Sequence, residues 1–154
     1  MQQSRLPVEI RPASAGDADA IRMCARAAYA QYVQAIGREP APMVADFHQD
    51  IADQKVWVAE IDARLAGFIV FFEQDDAMFL ENVAVHPDHT GRGVGSALIR
   101  FCERAAVAAR LSAIVLYTNE KMIENLSLYP RMGYRKTERR HEDGFHRVYF
   151  EKRL

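Results

Sequence analysis

The stretch VAVHPDHTGRGVGSALI, Val83 to Ile99, decides how the rest of this chain is read. An apolar run passes through Pro87 into Gly91, Gly93 and Gly95, spaced two apart, and an amphipathic pattern starts at once. Glycines placed this way shape backbone. A strand that feeds a glycine turn and then a helix presents several N–H groups and the positive end of the helix dipole. That combination is an anion site, most often for phosphate.

Outward from this stretch, hydrophobic period divides the chain into elements. LPVEIRP reads as a first strand. SAGDADAIRMCARAAYAQYV opens with Ser14 three residues before Asp17, a capping box, and places Ile21, Ala25, Ala28 and Tyr32 at helical spacing, predicting a helix over 14–33. Gly37, Pro40 and Pro42 interrupt it, and VADFHQDIA is a second, short helix. Between 55 and 86 the period changes. KVWVAEI, RLAGFIVFFEQ and AMFLENVAVH, parted by DA and DD turn signals, predict three consecutive antiparallel strands.

After the glycines, Val94, Leu98, Cys102, Ala105 and Ala109 make a helical stripe, and AIVLYT follows as an apolar strand. EKMIENLSLYPRMGY sets Met122, Leu126, Tyr129 and Met132 on one helical face, and YRKTER and FHRVYFEKR, joined by HEDG, predict a closing hairpin. The order is β-α-α-β-β-β-α-β-α-β-β. It implies one α/β (α+β) domain over residues 1–154, with a central mixed, mostly antiparallel sheet flanked by helices.

Bulk properties narrow the function classes. With 154 residues, 49% hydrophobic and 27% charged, the chain has the composition of a globular domain with a real core. A net charge of −1 argues against nucleic acid as a partner, because phosphate-backbone readers carry a basic excess. Cys24 and Cys102 fall inside helical patterns and read as small buried hydrophobes. MQQSRLPVEI has no apolar signal core, and no run approaches the ~18 apolar residues of a spanning helix, so a cytoplasmic protein with no membrane partner is expected. His48, His86, His89, His141 and His146 show no paired ligand spacing, and no metal is expected.

Three readings compete for the glycine turn. A nucleotide-hydrolase loop ends in Gly-Lys-Ser/Thr, whereas here Gly95 precedes Ser96 and Ala97. A dinucleotide- or methyltransferase-like fold turns directly from strand into glycines inside a βαβ unit, whereas HPDHT intervenes here, behind antiparallel strands. The third is a family resemblance. NVAVHPDHTGRGVGSALI resembles the acetyl-CoA-binding motif of the GCN5-related N-acetyltransferase (GNAT) superfamily, Val-x-x-x-x-Gln/Arg-x-x-Gly-x-Gly/Ala between a strand and a helix. LYPRMGY resembles the family's Tyr-x-x-x-Gly-Phe/Tyr signature, and the element order agrees. The resemblance covers the C-terminal two-thirds. Thr90 stands where the family has Gln or Arg, and Arg92 is placed to supply the missing charge.

The resemblance implies transfer of an acetyl group from acetyl-CoA to a primary amine of a small molecule or peptide. Val83, Ala84 and Val85 on a bulged strand would meet the thioester and pantetheine arm. Thr90, Gly91, Arg92, Gly93, Val94, Gly95 and Ser96 would hold the pyrophosphate, and Asn125 would contact the cofactor arm. Asn119 would cap the following helix. Tyr129 aligns with the tyrosine that protonates the departing thiolate, and Pro130 beside it predicts a local kink that aims the ring.

Glu81 is the acid inside the presumed fourth strand and the candidate base. An ordinary Glu, pKa ~4.3, is far too weak for an ammonium near 10.4 unless burial or a relay water assists. Tyr29, Tyr32 and Met43 would wall the acceptor side, with Arg38 available to a substrate carboxylate, and the RRHEDGFHR hairpin is the alternative place. A non-catalytic CoA-binding sensor or assembly subunit stays open as a second class, as does a homodimer.

Overall fold

The computed structural model describes residues 7–154. Its elements are β1 (Glu9–Pro12), α1 (Ala18–Ile36), α2 (Phe47–Ala52), β2 (Val56–Ile61), β3 (Arg64–Gln74), β4 (Ala77–Val85), α3 (Val94–Ala108), β5 (Ala113–Asn119), α4 (Ile123–Arg131), β6 (Arg135–Glu142) and β7 (Phe145–Arg153). The order matches the sequence reading, with three short 3₁₀ turns added. Of the expected first strand, Leu6 lies outside the described residues. Helix α1 starts later and ends later than predicted. Ser14 N–H and Oγ both donate to Asp17 Oδ2, but this capping contact closes a 3₁₀ turn over Ala15–Asp17 ahead of the helix. At the other end Gly37, at φ 90°, provides the left-handed residue that stops it.

All seven strands form one sheet in the order β1-β2-β3-β4-β5-β7-β6. The β2–β3–β4 meander is closed by Asp62-Ala63 and Asp75-Asp76, and the β6–β7 hairpin by Asp143-Gly144, every one of these residues at positive φ. Two successive positive φ values are what a two-residue hairpin turn of the type I′ class requires. Among the described residues the only parallel pairing is β4 with β5, and it lasts for two pairs, Met78 with Ile114 and Phe79 with Val115. Beyond them the strands part.

Strand β4 carries a bulge at the point where they part. Val70 pairs with Asn82 but Phe71 with Leu80, so Glu81 is an extra residue. Because side chains alternate, one added residue exchanges the faces of the strand. Met78 and Leu80 belong to the core layer under α3 and α4, with Leu98, Ile99, Cys102, Ile114 and Val148. After the bulge it is Val83 and Val85 that pack on that layer. Ala84 turns to the opposite layer, with Ile21, Phe47, Phe68 and Val70 under α1 and α2. Cys24 and Cys102 are both buried, one in each layer, and burial pushes each thiol up to about 12.

Helix α3 sits unusually close to the sheet at Gly67. A Cβ there would lie 2.6 Å from the Ala84 carbonyl oxygen and 3.1 Å from Val94 Cγ1. Gly67 therefore sets the depth at which the glycine turn and α3 rest on β3 and β4. Gly67→Ala is expected to destabilise the fold by about 1–3 kcal/mol, the usual cost of overpacking, read as a lower urea midpoint at unchanged slope. Gly16→Ala, with nothing within 4 Å of its added Cβ, should stay within about 0.5 kcal/mol of the parent.

Candidate active site

The parting of β4 and β5 opens a pocket lined by Leu80 to Val83 on one strand and Tyr117 to Asn119 on the other. Ladder alternation fixes which backbone groups face it. His86 N–H bonds Ala66 O at 2.8 Å, so the even residues of β4 after the bulge address β3. Val83 and Val85 then point their N–H groups away from β3, into the gap where β5 no longer runs alongside. A thioester and its amide-containing arm fit such a row, because the acyl oxygen and the amides need donors along one extended edge.

At the top of the gap the His86–Gly95 loop folds on itself. His86 Nδ1 accepts from Asp88 N–H at 3.1 Å, and Thr90 Oγ1 donates to Pro87 O at 3.0 Å. The Thr90 hydroxyl is thus committed within the turn. Gly91 (φ 80°) and Gly93 (φ 77°) are both left-handed, and Gly93 stands at the N-cap of α3. Ala97 N–H is the first to find a carbonyl of the helix, Gly93 O at 3.0 Å. The N–H groups of Val94, Gly95 and Ser96 therefore point off the helix end, where a pyrophosphate fits. Arg92 is exposed on the other flank, its Nη1 3.5 Å from His89 Nδ1 and its side chain among Asp62, Arg64 and His86.

Tyr129 and Glu81 both reach the pocket. The Tyr129 ring is clamped by Tyr134 (centroids 5.5 Å apart) and Phe150 (5.7 Å), and only 3% of the residue is exposed. Its hydroxyl bonds no described residue, yet no fully sealed polar side-chain atom lacks a partner among the described residues. The hydroxyl must therefore touch the open part of the pocket. Burial raises the phenol's pKa and keeps it protonated. Helix α4 runs on through Pro130, so the kink expected there does not break it. Glu81 is half-buried, and burial first, then the negative charge of Asp50, raises its carboxyl above the ordinary range, with Lys55 opposing.

The remaining expected residues divide. Tyr29 lines the pocket from α1, its hydroxyl 2.8 Å from Asn82 Oδ1 and 2.9 Å from Val83 O. Asn125 also lines it, but its Nδ2 donates to Thr118 Oγ1 at 3.1 Å and so straps α4 to β5. Asn119 Oδ1 accepts from Lys121 N–H at 2.9 Å, and Met122, not Asn119, stands at the N-cap of α4. Three acceptor-side candidates lie outside the lining. Tyr32 bonds Glu124, Met43 is buried in the core under α1, and Arg38 donates to Asp143 O while stacking 3.7 Å from the Phe145 ring centroid.

Sequence reasoning missed Asn82 and Tyr117 as lining residues, whereas Phe145 and Arg147 belong to the RRHEDGFHR hairpin that it offered as the alternative acceptor place. Asn82 is buried and donates through Nδ2 to Pro42 O at 3.1 Å, which fixes the α1–α2 loop over the pocket. Tyr117 and Arg147, on β5 and β7, form the far wall, with Phe145 beside them. A polar Asn beside Glu81 within an otherwise apolar strand was the available signal for the first. Nothing local marked Tyr117. Among the described residues no group of three or more His, Cys, Asp or Glu is placed to hold a metal, and no helix is long and apolar enough to cross a membrane.

A family model described as the acetyltransferase (GNAT) family matches residues 22–134. The chain belongs to the GNAT acetyltransferases. Among solved GNAT folds it resembles the PaiA N-acetyltransferase of Thermoplasma acidophilum, crystallised with coenzyme A. That match has 18% identity, 97% of this chain and 100% of that one covered, and a TM-score of 0.79. A GNAT-family acetyltransferase of Listeria monocytogenes 4b F2365 shares 19% identity over 97% of this chain and 96% of its own, at a TM-score of 0.74. Human N-acetyltransferase 8B is 29% identical over 87 residues, 53% of this chain and 38% of that protein. The chain thus spans well under half the length of this curated relative.

The loop geometry makes the glycine turn testable directly. Gly93→Val forces a β-branched residue into a left-handed conformation at the helix start. Acetyl-CoA affinity measured by calorimetry should fall at least tenfold, with the far-ultraviolet spectrum retained and the melting temperature lowered by several degrees through the backbone strain.

Proposed function

We propose that this GNAT chain is an acetyl-CoA-dependent N-acetyltransferase acting on a primary amine held beside Glu81. The observation that carries the reading is the bulged gap itself. It brings the outward N–H group of Val83, the buried phenol of Tyr129 and the Glu81 carboxylate to one pocket, with the Val85 N–H further along the same strand edge. The neighbour crystallised with coenzyme A shares this fold over nearly the whole chain.

The chemistry follows from where the groups stand. The amine must lose a proton to expose its lone pair, and Glu81 takes it, directly or through a water. Its raised pKa narrows the gap to the ammonium. The nitrogen then attacks the thioester carbonyl carbon, with the developing oxyanion met by β4 N–H groups. As the C–N bond forms and the C–S bond breaks, the sulfur leaves as a thiolate. Tyr129, kept protonated by burial, gives it a hydrogen bond and its proton. The attacking nitrogen still carries one proton too many after the C–N bond forms; it loses this second proton as the intermediate collapses, and Tyr129 takes one back from solvent. Amide and free thiol are the products, and the first proton leaves through Glu81 to solvent.

Two measurements test the assignments. Tyr129→Phe removes only the hydroxyl, so acetyl-CoA should still bind while kcat falls about 10²–10⁴-fold; a parental kcat removes Tyr129 from the mechanism. The acidic limb of kcat/KM should lie above the ordinary carboxylate range, because Glu81 works only when deprotonated and its pKa is raised. Asp50→Asn removes a neighbouring negative charge and should move that limb to lower pH, while Glu81→Gln should abolish it. A limb unmoved in both variants assigns it to another group.

A further inference from the structure

One charged side chain in the pocket has no part in the chemistry above. Arg147 projects from β7 beside Tyr117, its guanidinium carbon 4.3 Å from that ring centroid and 5.6 Å from Phe145. Its side chain is only 9% exposed. The partners it has are both on one nitrogen. Nη1 lies 3.2 Å from Asp143 Oδ2 and 3.4 Å from Glu142 Oε1. A guanidinium has five N–H donors and two edges that can each clasp a carboxylate. No described residue bonds Nε or Nη2, and no sealed polar side-chain atom among the described residues is left without a partner. That second edge therefore opens onto space, and the space Arg147 borders is the pocket.

The surroundings make this edge a receptor for a small acid. Asp143 is 78% exposed, so water screens its hold on Arg147, and the aromatic faces of Tyr117 and Phe145 keep the guanidinium plane oriented. Glu81 and Tyr117 line the same pocket, and the Tyr117 phenol, raised first by burial, feels both charges, Arg147 lowering its pKa and Glu81 raising it. A carboxylate and a guanidinium thus border one pocket. The pocket is roofed by Pro40–Pro42, tied to Asn82, and the Arg38–Asp143 contact pins the neighbouring loop to the β6–β7 turn. Such a roof suits a molecule of a few atoms rather than a folded protein surface.

Resting on the transferase reading, we infer that the acceptor is a small amino acid. Its amine meets Glu81, and its carboxylate is clasped by the Nε–Nη2 edge of Arg147. The carboxylate-binding role that the sequence offered to Arg38 passes to Arg147, because Arg38 is held outside the lining by Asp143 and Phe145.

The test uses matched sets with the full-length protein and acetyl-CoA: lysine, 4-aminobutyrate and β-alanine, each beside its carboxamide and its decarboxylated amine. The parent should favour the acid over both partners by about 10–100-fold in kcat/KM, the range of a charged hydrogen-bonded contact. Arg147→Gln should erase that preference by raising the acid's KM, and Arg147→Lys should restore part of it, with acetyl-CoA affinity unchanged in both. The preference of the parent is a readout that needs no variant to fold. If R147Q slows acid, amide and amine alike, Arg147 is scaffold only and the inference is overturned. Turnover without preference for the acid, or no turnover by protein that binds acetyl-CoA, also overturns the inference alone. Failure of acetyl-CoA to bind overturns the transferase reading as well.

Discussion

One extra residue in β4 governs the site. Had Glu81 been accommodated in register, β4 would keep its parity through Val85. The valines that face α3 would then face α1, and the strand would have no reason to leave β5 after two pairs. The bulge bends the strand, exchanges its faces and ends the parallel pairing in one step. The pocket, the free backbone edge and the inward position of Glu81 are three results of that insertion. Gly67 and the two left-handed glycines then seat α3 low enough for its N-terminus to close the top of the gap.

Much of this was legible in the residues. The hairpin turns carry Asp-Ala and Asp-Asp between apolar runs and Asp-Gly after the charged β6, and short Asp side chains and glycine tolerate the left-handed backbone those turns need. The glycine loop, the tyrosine helix and the closing hairpin were readable for the same reason: local pattern and local geometry agree there. Register was not readable. Glu81 and Asn82 break FLENVAV as a polar pair without showing which residue is extra; that Glu81 is supernumerary is a property of its pairing with β3, not of its own identity.

The acceptor wall was half legible: the RRHEDGFHR hairpin stood as the alternative place, but which of its residues turns inward was not readable. Within FHRVYFEKR, Arg147 has the look of a solvent-facing strand residue, and only the rings of Tyr117 and Phe145, from other parts of the sheet, enclose it. Conversely, Arg38 and Tyr32 looked free because the loop after α1 is irregular. The structure shows both held by residues more than ninety positions away, Asp143 and Glu124. Met43 reads as a loop residue and is core. Sequence period identifies which face an element buries, but not what a distant hairpin lays over an exposed loop.

The two rims of the sheet have a consequence for how copies of this chain meet. At one rim β1 spans only four residues, ending at Pro12, and Arg11 is gripped by Asp17 and Glu60. At the other, β6 is exposed along nearly all its length and reads RKTERRHE, with charge at almost every position. Unpaired strand edges invite further strands, and short length, proline and dense charge are what discourage them. Both ends of this sheet are therefore terminated chemically as well as geometrically. Continuing the sheet from β6 of one molecule into β6 of the next would set Arg135, Lys136, Arg139 and Arg140, which outnumber Glu138 and Glu142, against their own copies. The charge excess at that rim therefore opposes assembly by sheet continuation.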